Sequence, residues 1–366
     1  MITPATLLAA LLMTADARAG AKVDPATLAR GINMDHLFNP YRDPREPWTA
    51  ADMKAIEKDI NPAEFKLAAK LGFTHVRLNI GQVFLQDQQV PFAFREDGFR
   101  LLDRAVEAIG TSGLACVLDL HQIPVPPLEL DPREKRKFTA LWKRLTTRYR
   151  GSKTFIAFEL LNEPRVRKMD WWRSFTAEQI QMIRRLDPHR TVIITAPDWA
   201  GFEELMQLGN LGIPNVLYTF HFYEPFVFTH QGADWGEPGM ASLREIRYPI
   251  DPEQMKTELA KAKGTDEECW PFTDWPRAAD AAALEKRLQP LFDWAKHERI
   301  ALYCGEFGVH KPYAPPADRA RWIADLVAIL KKHDVGWAMW SWHSGFDLVD
   351  DHGVPDPAVV EALGLR

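Results

Sequence analysis

Cysteine is scarce: the 366 residues contain only Cys116, Cys269 and Cys304, so at most one disulfide is possible and none is required. Cys116 and Cys304 lie inside apolar runs, where a thiol acts as a small buried hydrophobe. The short Cys and His spacings of common zinc sites are missing, and so is any His-x-His pair. No long run of Lys and Arg occurs and the formal net charge is only -5, which makes nucleic acid a poor partner and points to a neutral one. No apolar stretch is long enough to span a bilayer. Repeats, low-complexity linkers and a second composition regime are also lacking, so one domain is expected. What remains, 46% hydrophobic and 26% charged, is ordinary for a chain that buries a substantial core.

The first residues read as an export signal. Leu7 to Met13 form a short apolar core, and Ala17-Arg18-Ala19 supplies a small-residue cleavage site, although residues 1–6 lack the usual positive charge. Residues 1–19 are therefore expected to be removed, leaving 20–366 as an exported domain, periplasmic or extracellular.

Along that domain, β-like runs alternate with amphipathic helical segments. Strands are expected at 28–33, 75–80, 114–120, 155–161, 191–195, 216–222, 300–304 and 336–340. Helical spacing appears in Phe99-Leu102-Ala105-Val106-Ile109, in Phe138-Leu141-Trp142-Leu145 and in Trp322-Leu326-Ile329-Leu330. Strands apolar on both faces, alternating with helices over this length, favour an α/β fold of the (β/α)8 TIM barrel type over a doubly wound sheet. One connection, 224–279, is far longer than an ordinary βα loop. Trp235, Trp270 and Trp275 in it are expected either to stack on sugar rings or to pack the insertion against the barrel.

Two glutamates stand out. Glu163 follows Phe158-Glu159-Leu160-Leu161-Asn162 and precedes Pro164; Glu306 follows Leu302-Tyr303-Cys304-Gly305 and precedes Phe307-Gly308. Pro164 and Gly308 are expected to end their strands at once, placing both acids at carboxyl ends, where barrels bind ligands. Chemistry at an anomeric carbon requires such a pair, one carboxyl giving a proton to the leaving oxygen while the other attacks or stabilises the cationic carbon. Arg77, His121, His221, Tyr223 and Trp340 fall near other strand ends and should converge on the same mouth.

Residue type suggests roles. Asn162 is expected to donate to a sugar 2-hydroxyl, Arg77 and Tyr223 to hold Glu306 ionised, His121 to bind a hydroxyl and Trp340 to floor the cleavage point. His221 should orient or exchange protons with Glu163, whose pKa is expected to be raised by burial and a neighbouring negative charge. No cofactor or metal is expected.

Taken together, Leu160-Leu161-Asn162-Glu163-Pro164, Tyr303-Cys304-Gly305-Glu306-Phe307-Gly308, His221-Phe222-Tyr223, Arg77, His121 and Trp340 resemble family 5 of the glycoside hydrolases, the cellulase family. The resemblance runs from Arg30-Gly31-Ile32-Asn33 to Trp340. It implies a (β/α)8 barrel and double displacement with retention, with Glu163 as acid/base and Glu306 as nucleophile. It further implies carboxyls about 5–5.5 Å apart. Within the family, residues 221–226 and 228–235 look like bacterial endo-β-1,4-glucanases, some of which also accept mannans. The partner expected is thus a β-linked polysaccharide or oligosaccharide acted on by a monomer. Departures from the family pattern at Leu78-Asn79-Ile80, at Gln122, at 123–127 and at 34–38 border the glycone side. A β-mannanase or exo-acting β-glucosidase on the same scaffold is the main alternative; a non-catalytic carbohydrate-binding barrel and a metal-dependent barrel hydrolase are the others.

Overall fold

The computed structural model of the chain describes residues 24–38, 48–87, 93–121, 128–237, 239–261 and 270–366. The export segment 1–19, Cys269, Gln122 and the 123–127 stretch lie outside the described residues. Eight parallel strands follow one another around a closed barrel: β1 Arg30–Phe38, β2 His75–Ile80, β3 Ala115–Leu120, β4 Ile156–Glu159, β5 Val192–Thr195, β6 Val216–Phe222, β7 Ala301–Phe307 and β8 Gly336–Met339. β8 pairs back onto β1, so no sheet edge is left open. The principal helices after each strand are α1 Pro62–Leu71, α2 Glu96–Thr111, α3 Pro132–Tyr149, α4 Met169–Leu186, α5 Phe202–Leu208, α6 Ala281–Glu298, α7 Pro316–Lys332 and α8 Pro357–Ala362. This is the (β/α)8 barrel expected from the sequence. No helix among the described residues is long and apolar enough to cross a membrane.

The two-residue period of the strands divides the core in two. One set, including Val76, Leu78 and Ile80 of β2 and Cys116, Leu118 and Leu120 of β3, packs against the helices. The other points inward, where Ala115, Val117, Ala157, Ile193, Tyr303 and Ala338 form a small apolar plug with Leu28. At this level His75 Nε2 lies 2.8 Å from the Tyr303 hydroxyl, and burial beside Arg77 pushes the His75 pKa down to about 3. Further along the same inward rows the residues turn polar: Asn33, Arg77, Asn79, Asp119 and Glu159, all fully buried.

The helices bury the stripes anticipated from spacing: Phe99, Leu102, Ala105, Val106 and Ile109 on α2; Phe138, Leu141, Trp142 and Leu145 on α3; Trp322, Leu326, Ile329 and Leu330 on α7. Three helix tryptophans also reach the barrel mouth. The indole N–H of Trp142 donates to Leu160 O (3.1 Å), that of Trp172 to Thr195 O (2.8 Å) and that of Trp322 to Glu224 O (3.0 Å). Each pins backbone where a strand gives way to a loop, which a buried indole does because its N–H needs a partner.

Strand ends differ from the sequence reading in four places. β1 continues past Asn33 to Phe38, because Met34, Leu37 and Phe38 are buried too, with an irregularity in register between Met34 and Phe38. β4 stops at Glu159, not at 161, since the carbonyls of Leu160 and Leu161 go to the Trp142 indole and the Thr195 hydroxyl instead of a neighbouring strand. Glu163 therefore sits four residues beyond its strand. β7 runs on through Glu306 to Phe307. β8 ends at Met339, so Trp340 lies just past it, its N–H donating to Phe307 O at 2.8 Å.

The long connection folds as short helices, Phe226–Thr229, Pro252–Lys261 and Trp270–Asp274, laced by Gln231, which bonds Phe228 O and both backbone groups of Ile246. Trp275 packs against the main core, the second of the two roles expected for it. Trp235 is 60% exposed and meets His310 edge-on at 4.8 Å. The Trp270 side chain lies outside the described residues.

Candidate active site

Arg77, on β2, organises the mouth from below. Its Nε and Nη2 grip Glu159 of β4 in a bidentate pair at 2.7 Å each, Nη1 donates to Asn33 Oδ1 (2.8 Å) and Glu306 Oε1 (2.7 Å), and Nη2 donates to Asn162 Oδ1 (2.7 Å). Asp119 of β3 is a third carboxylate, 3.1 Å from Nη2. Burial opposes the guanidinium's charge, but Asp119, Glu159 and Glu306 around it raise its pKa well above the usual value. Strand β4 thus aims one acid, Glu159, down into this buried pair, while the loop after it carries Glu163 to the cleft.

Glu306 is aimed by a bulge. The β6–β7 register passes from Phe220 opposite Cys304 to His221 opposite Glu306, leaving Gly305 as the extra residue. Gly305 N–H donates to Thr219 Oγ1 at 3.1 Å, and Gly305 O accepts from Asn33 Nδ2 at 3.0 Å. A Cβ on Gly305 would stand 2.7 Å from Thr219 Oγ1 and 3.4 Å from His221 Nε2, so the close approach needs glycine. Gly308, just beyond, faces the same limit against Trp340 O at 2.3 Å. Both Glu306 oxygens then find donors, Arg77 on Oε1 and the Tyr223 hydroxyl on Oε2 at 3.0 Å.

Glu163 Oε1 lies 2.8 Å from His221 Nδ1, and the same nitrogen lies 3.5 Å from Glu306 Oε2. Oxygens of the two glutamates and a ring nitrogen of His221 all fall within 4.8 Å of one another. Such a set could hold a cation, but both Glu306 oxygens are already engaged and a fixed guanidinium charge stands 2.7 Å away, which repels a dication.

The pKa of Glu163 corrects the sequence reading. Burial raises it as anticipated, but the hydrogen bond and charge of His221, helped by His121 and Arg77, outweigh burial and bring it below the ordinary value. The neighbouring positive charges, invisible along the chain, decide the sign.

His121 follows β3 with Nδ1 2.6 Å from Asp119 Oδ2 and 2.9 Å from Asn79 Nδ2. Burial works against its charged form, yet Asp119 and, less, Glu306 raise its pKa; Asp119 is lowered in turn, because Arg77 and His121 overcome burial. Glu159 goes the other way, raised by burial and by Asp119 despite Arg77. Trp340 stacks on the His121 ring, centroids 5.3 Å apart and planes 17° off parallel. Because Asn162 Oδ1 is held by Arg77, its Nδ2 faces the other way, 3.3 Å from His121 Nε2.

All eight residues singled out from the sequence, Arg77, His121, Asn162, Glu163, His221, Tyr223, Glu306 and Trp340, are thus gathered at one mouth. Sequence reasoning missed the layer beneath: Asn33, Asn79, Asp119, Glu159 and Thr219. Their signal was present, since each is a polar residue in an otherwise apolar strand at the inward phase of the alternation.

Comparison with known proteins identifies the family. The family described as cellulase (glycosyl hydrolase family 5) matches residues 45–345. The chain belongs to family 5. Endoglucanase C of Acetivibrio thermocellus is 31% identical over 320 residues, 85% of this chain and 90% of that protein. Endoglucanase Cel5A from the hyperthermophilic Thermotoga maritima superposes with a TM-score of 0.73 at 27% identity, covering 93% of this chain and all of that one (100%). The Clostridial cellulose synthase subunit Z of Clostridioides difficile does so with a TM-score of 0.72 at 26% identity, covering 92% and 99%. Family 5 membership makes this chain an O-glycosyl hydrolase on the barrel described above.

Proposed function

We propose that the protein is a retaining endo-β-1,4-glucanase in which Glu163 is the acid/base and Glu306 the nucleophile. The observation that carries this reading is the approach of Glu163 and Glu306 carboxylate oxygens to within 4.8 Å across the mouth. Retaining enzymes need roughly 5–5.5 Å between carboxyl groups, whereas inverting ones need about 6.5–9.5 Å to admit a water. Endoglucanase relatives over most of the chain support the substrate class.

Glu306, held by hydrogen bonds from Arg77 and Tyr223, attacks the anomeric carbon as the leaving oxygen takes a proton. Glu163, oriented by His221 Nδ1 at 2.8 Å, is the group that gives that proton. Glucan entering the cleft expels water, which disfavours an ionised Glu163 carboxyl and so favours its acid form. Water then hydrolyses the glycosyl-enzyme ester with Glu163 acting as base. Asn162, with Oδ1 held by Arg77 and Nδ2 beside His121, is the donor to the sugar 2-hydroxyl, and Trp340 on His121 is the floor.

Product profiling on carboxymethylcellulose, mixed-linkage glucan, mannan and aryl glucosides, with Glu306→Gln as control, tests the reading. Release of mixed oligosaccharides of retained anomeric configuration is expected; products of inverted configuration would sink the mechanism, and glucose alone would turn the assignment to an exo enzyme. Mannan is included because the Thermotoga maritima relative has been crystallised with a mannotriose substrate. Undiminished activity after exhaustive chelation is also expected. Export completes the reading: the apolar run 7–13 and Ala17-Arg18-Ala19 support removal of residues 1–19, and N-terminal sequencing of the protein recovered outside the cytoplasm checks it.

A further inference from the structure

A second cluster of ligating side chains lies apart from the glutamate pair. His36 comes from β1, Glu64 from the first turn of α1 and His343 from the loop after β8, and one ligating atom of each lies within 4.8 Å of the others. None of the three takes part in the contacts of Glu163 or Glu306 described above.

We propose that His36, Glu64 and His343 bind a divalent transition metal of the zinc type, with the fourth position left to water. Two imidazoles and one carboxylate are a donor set that zinc favours. His36 Nε2 and Glu64 Oε2 are 3.2 Å apart. That is long for a charge-assisted hydrogen bond, for which about 2.7–2.9 Å is usual. It does match the edge of a tetrahedron with bonds of about 2.0–2.1 Å, which is roughly 3.3 Å. The His36 and His343 rings are 5.1 Å apart and nearly perpendicular, 86°, so they are not stacked, and a nitrogen of each lies within 4.8 Å of the other and of a Glu64 oxygen. An ordinary ion pair would explain His36 with Glu64 but not a second imidazole turned toward them.

The site is also held. Glu64 stands on a helix whose start is capped by Asn61, and the His343 loop is fastened on both sides: Ser341 Oγ lies 2.7 Å from Ser344 Oγ, Lys311 N–H donates to Gly345 O (2.7 Å) and Gly345 N–H to Asp347 Oδ1 (2.9 Å). Closing the cluster by about an ångström onto a metal is therefore a side-chain movement on a fixed frame. Bound metal ties α1 to the β8 loop across the seam where the barrel closes, three residues from Trp340.

The test is zinc binding by the whole chain. After chelator treatment and gel filtration, zinc chloride is titrated by calorimetry, retained metal is counted by elemental analysis, and the melting temperature is read with and without zinc. One equivalent per chain with a raised melting temperature is expected. His343→Gln and Glu64→Gln, each checked for a native circular dichroism spectrum, should weaken binding by at least about 100-fold, since loss even of an outer partner costs roughly 10–100-fold. Affinity of the wild type should fall on acidification, because zinc takes only deprotonated ligands. No retained zinc in the wild type overturns the proposal, and so does equal zinc binding by both folded variants. Because the readout is metal and not hydrolysis, neither result bears on the roles of Glu163 and Glu306.

Discussion

Glu163 and Glu306 differ in what each has around it, and that difference fixes what their removal should do. Glu306→Gln keeps the shape but loses the attacking oxygen, so turnover of every substrate should vanish. Glu163→Gln should lower kcat on β-glucan by about 10²–10⁴, the range for a general acid. On aryl glycosides whose leaving group needs no proton, the first step should be nearly spared; equal losses on both substrates would reject the acid role. His221 supplies the hydrogen bond and charge that hold the Glu163 pKa down. Removing them by His221→Asn should raise that pKa and move the alkaline limb of kcat/KM to higher pH, and a limb that stays or moves down would contradict the assignment. Arg77 is a poorer target, since its loss would leave Glu159 and Asp119 buried without their cation, at about 3–5 kcal/mol.

At the scale of the element, the bulge in β7 matters most. Without the extra residue, two-residue alternation would turn the side chain at 306 away from the mouth, because 303 and 305 already point inward. Gly305→Ala forces a Cβ against Thr219 Oγ1 and His221. The expected cost is about 1–3 kcal/mol, with activity falling further than stability because the nucleophile is misaimed. Thermal melting and kcat measured together check this: normal kcat with lowered stability would mean that the bulge serves packing alone. The indole pins from α3, α4 and α7 belong to the same scale, tying helix to strand end where the loops of Glu163 and Tyr223 begin.

Over the whole molecule, pH enters through Glu224, which joins the Tyr223 strand end to the insertion and to α6. Its side chain accepts from Arg287 Nε at 2.8 Å, and Arg287 also pairs with Glu203. Burial, assisted by Asp274 and Glu203 and only partly offset by Arg287, pushes the Glu224 pKa up to about 7. A carboxyl whose folded pKa lies above its unfolded one binds more protons when folded. Its contribution is thus fully present below about pH 4.5 and is lost as pH rises to 7, on the order of 2–3 kcal/mol. Glu224→Gln, which leaves Glu203 on Arg287, should melt higher than the wild type at pH 8 and converge with it near pH 5. Coincident melting curves at both pH values would refute the claim.

Much of this was legible in the chain before folding. Strand and helix periods gave the barrel, and the short motifs around Glu163, His221 and Glu306 gave the mouth, because periodicity and turn residues act over a few positions and are written locally. What only the tertiary structure decided is how distant residues modify each other. It lowered Glu163 through His221, set Asp119 and Glu159 on Arg77, and ended β4 at Glu159 by giving the next carbonyls to an indole and a hydroxyl. The absence of short zinc spacings in the sequence likewise says nothing about His36, Glu64 and His343, which meet only because a closed barrel brings its first and last strands side by side. Charge and hydrogen bonding act through space, and sequence order records space only where the fold keeps neighbours adjacent.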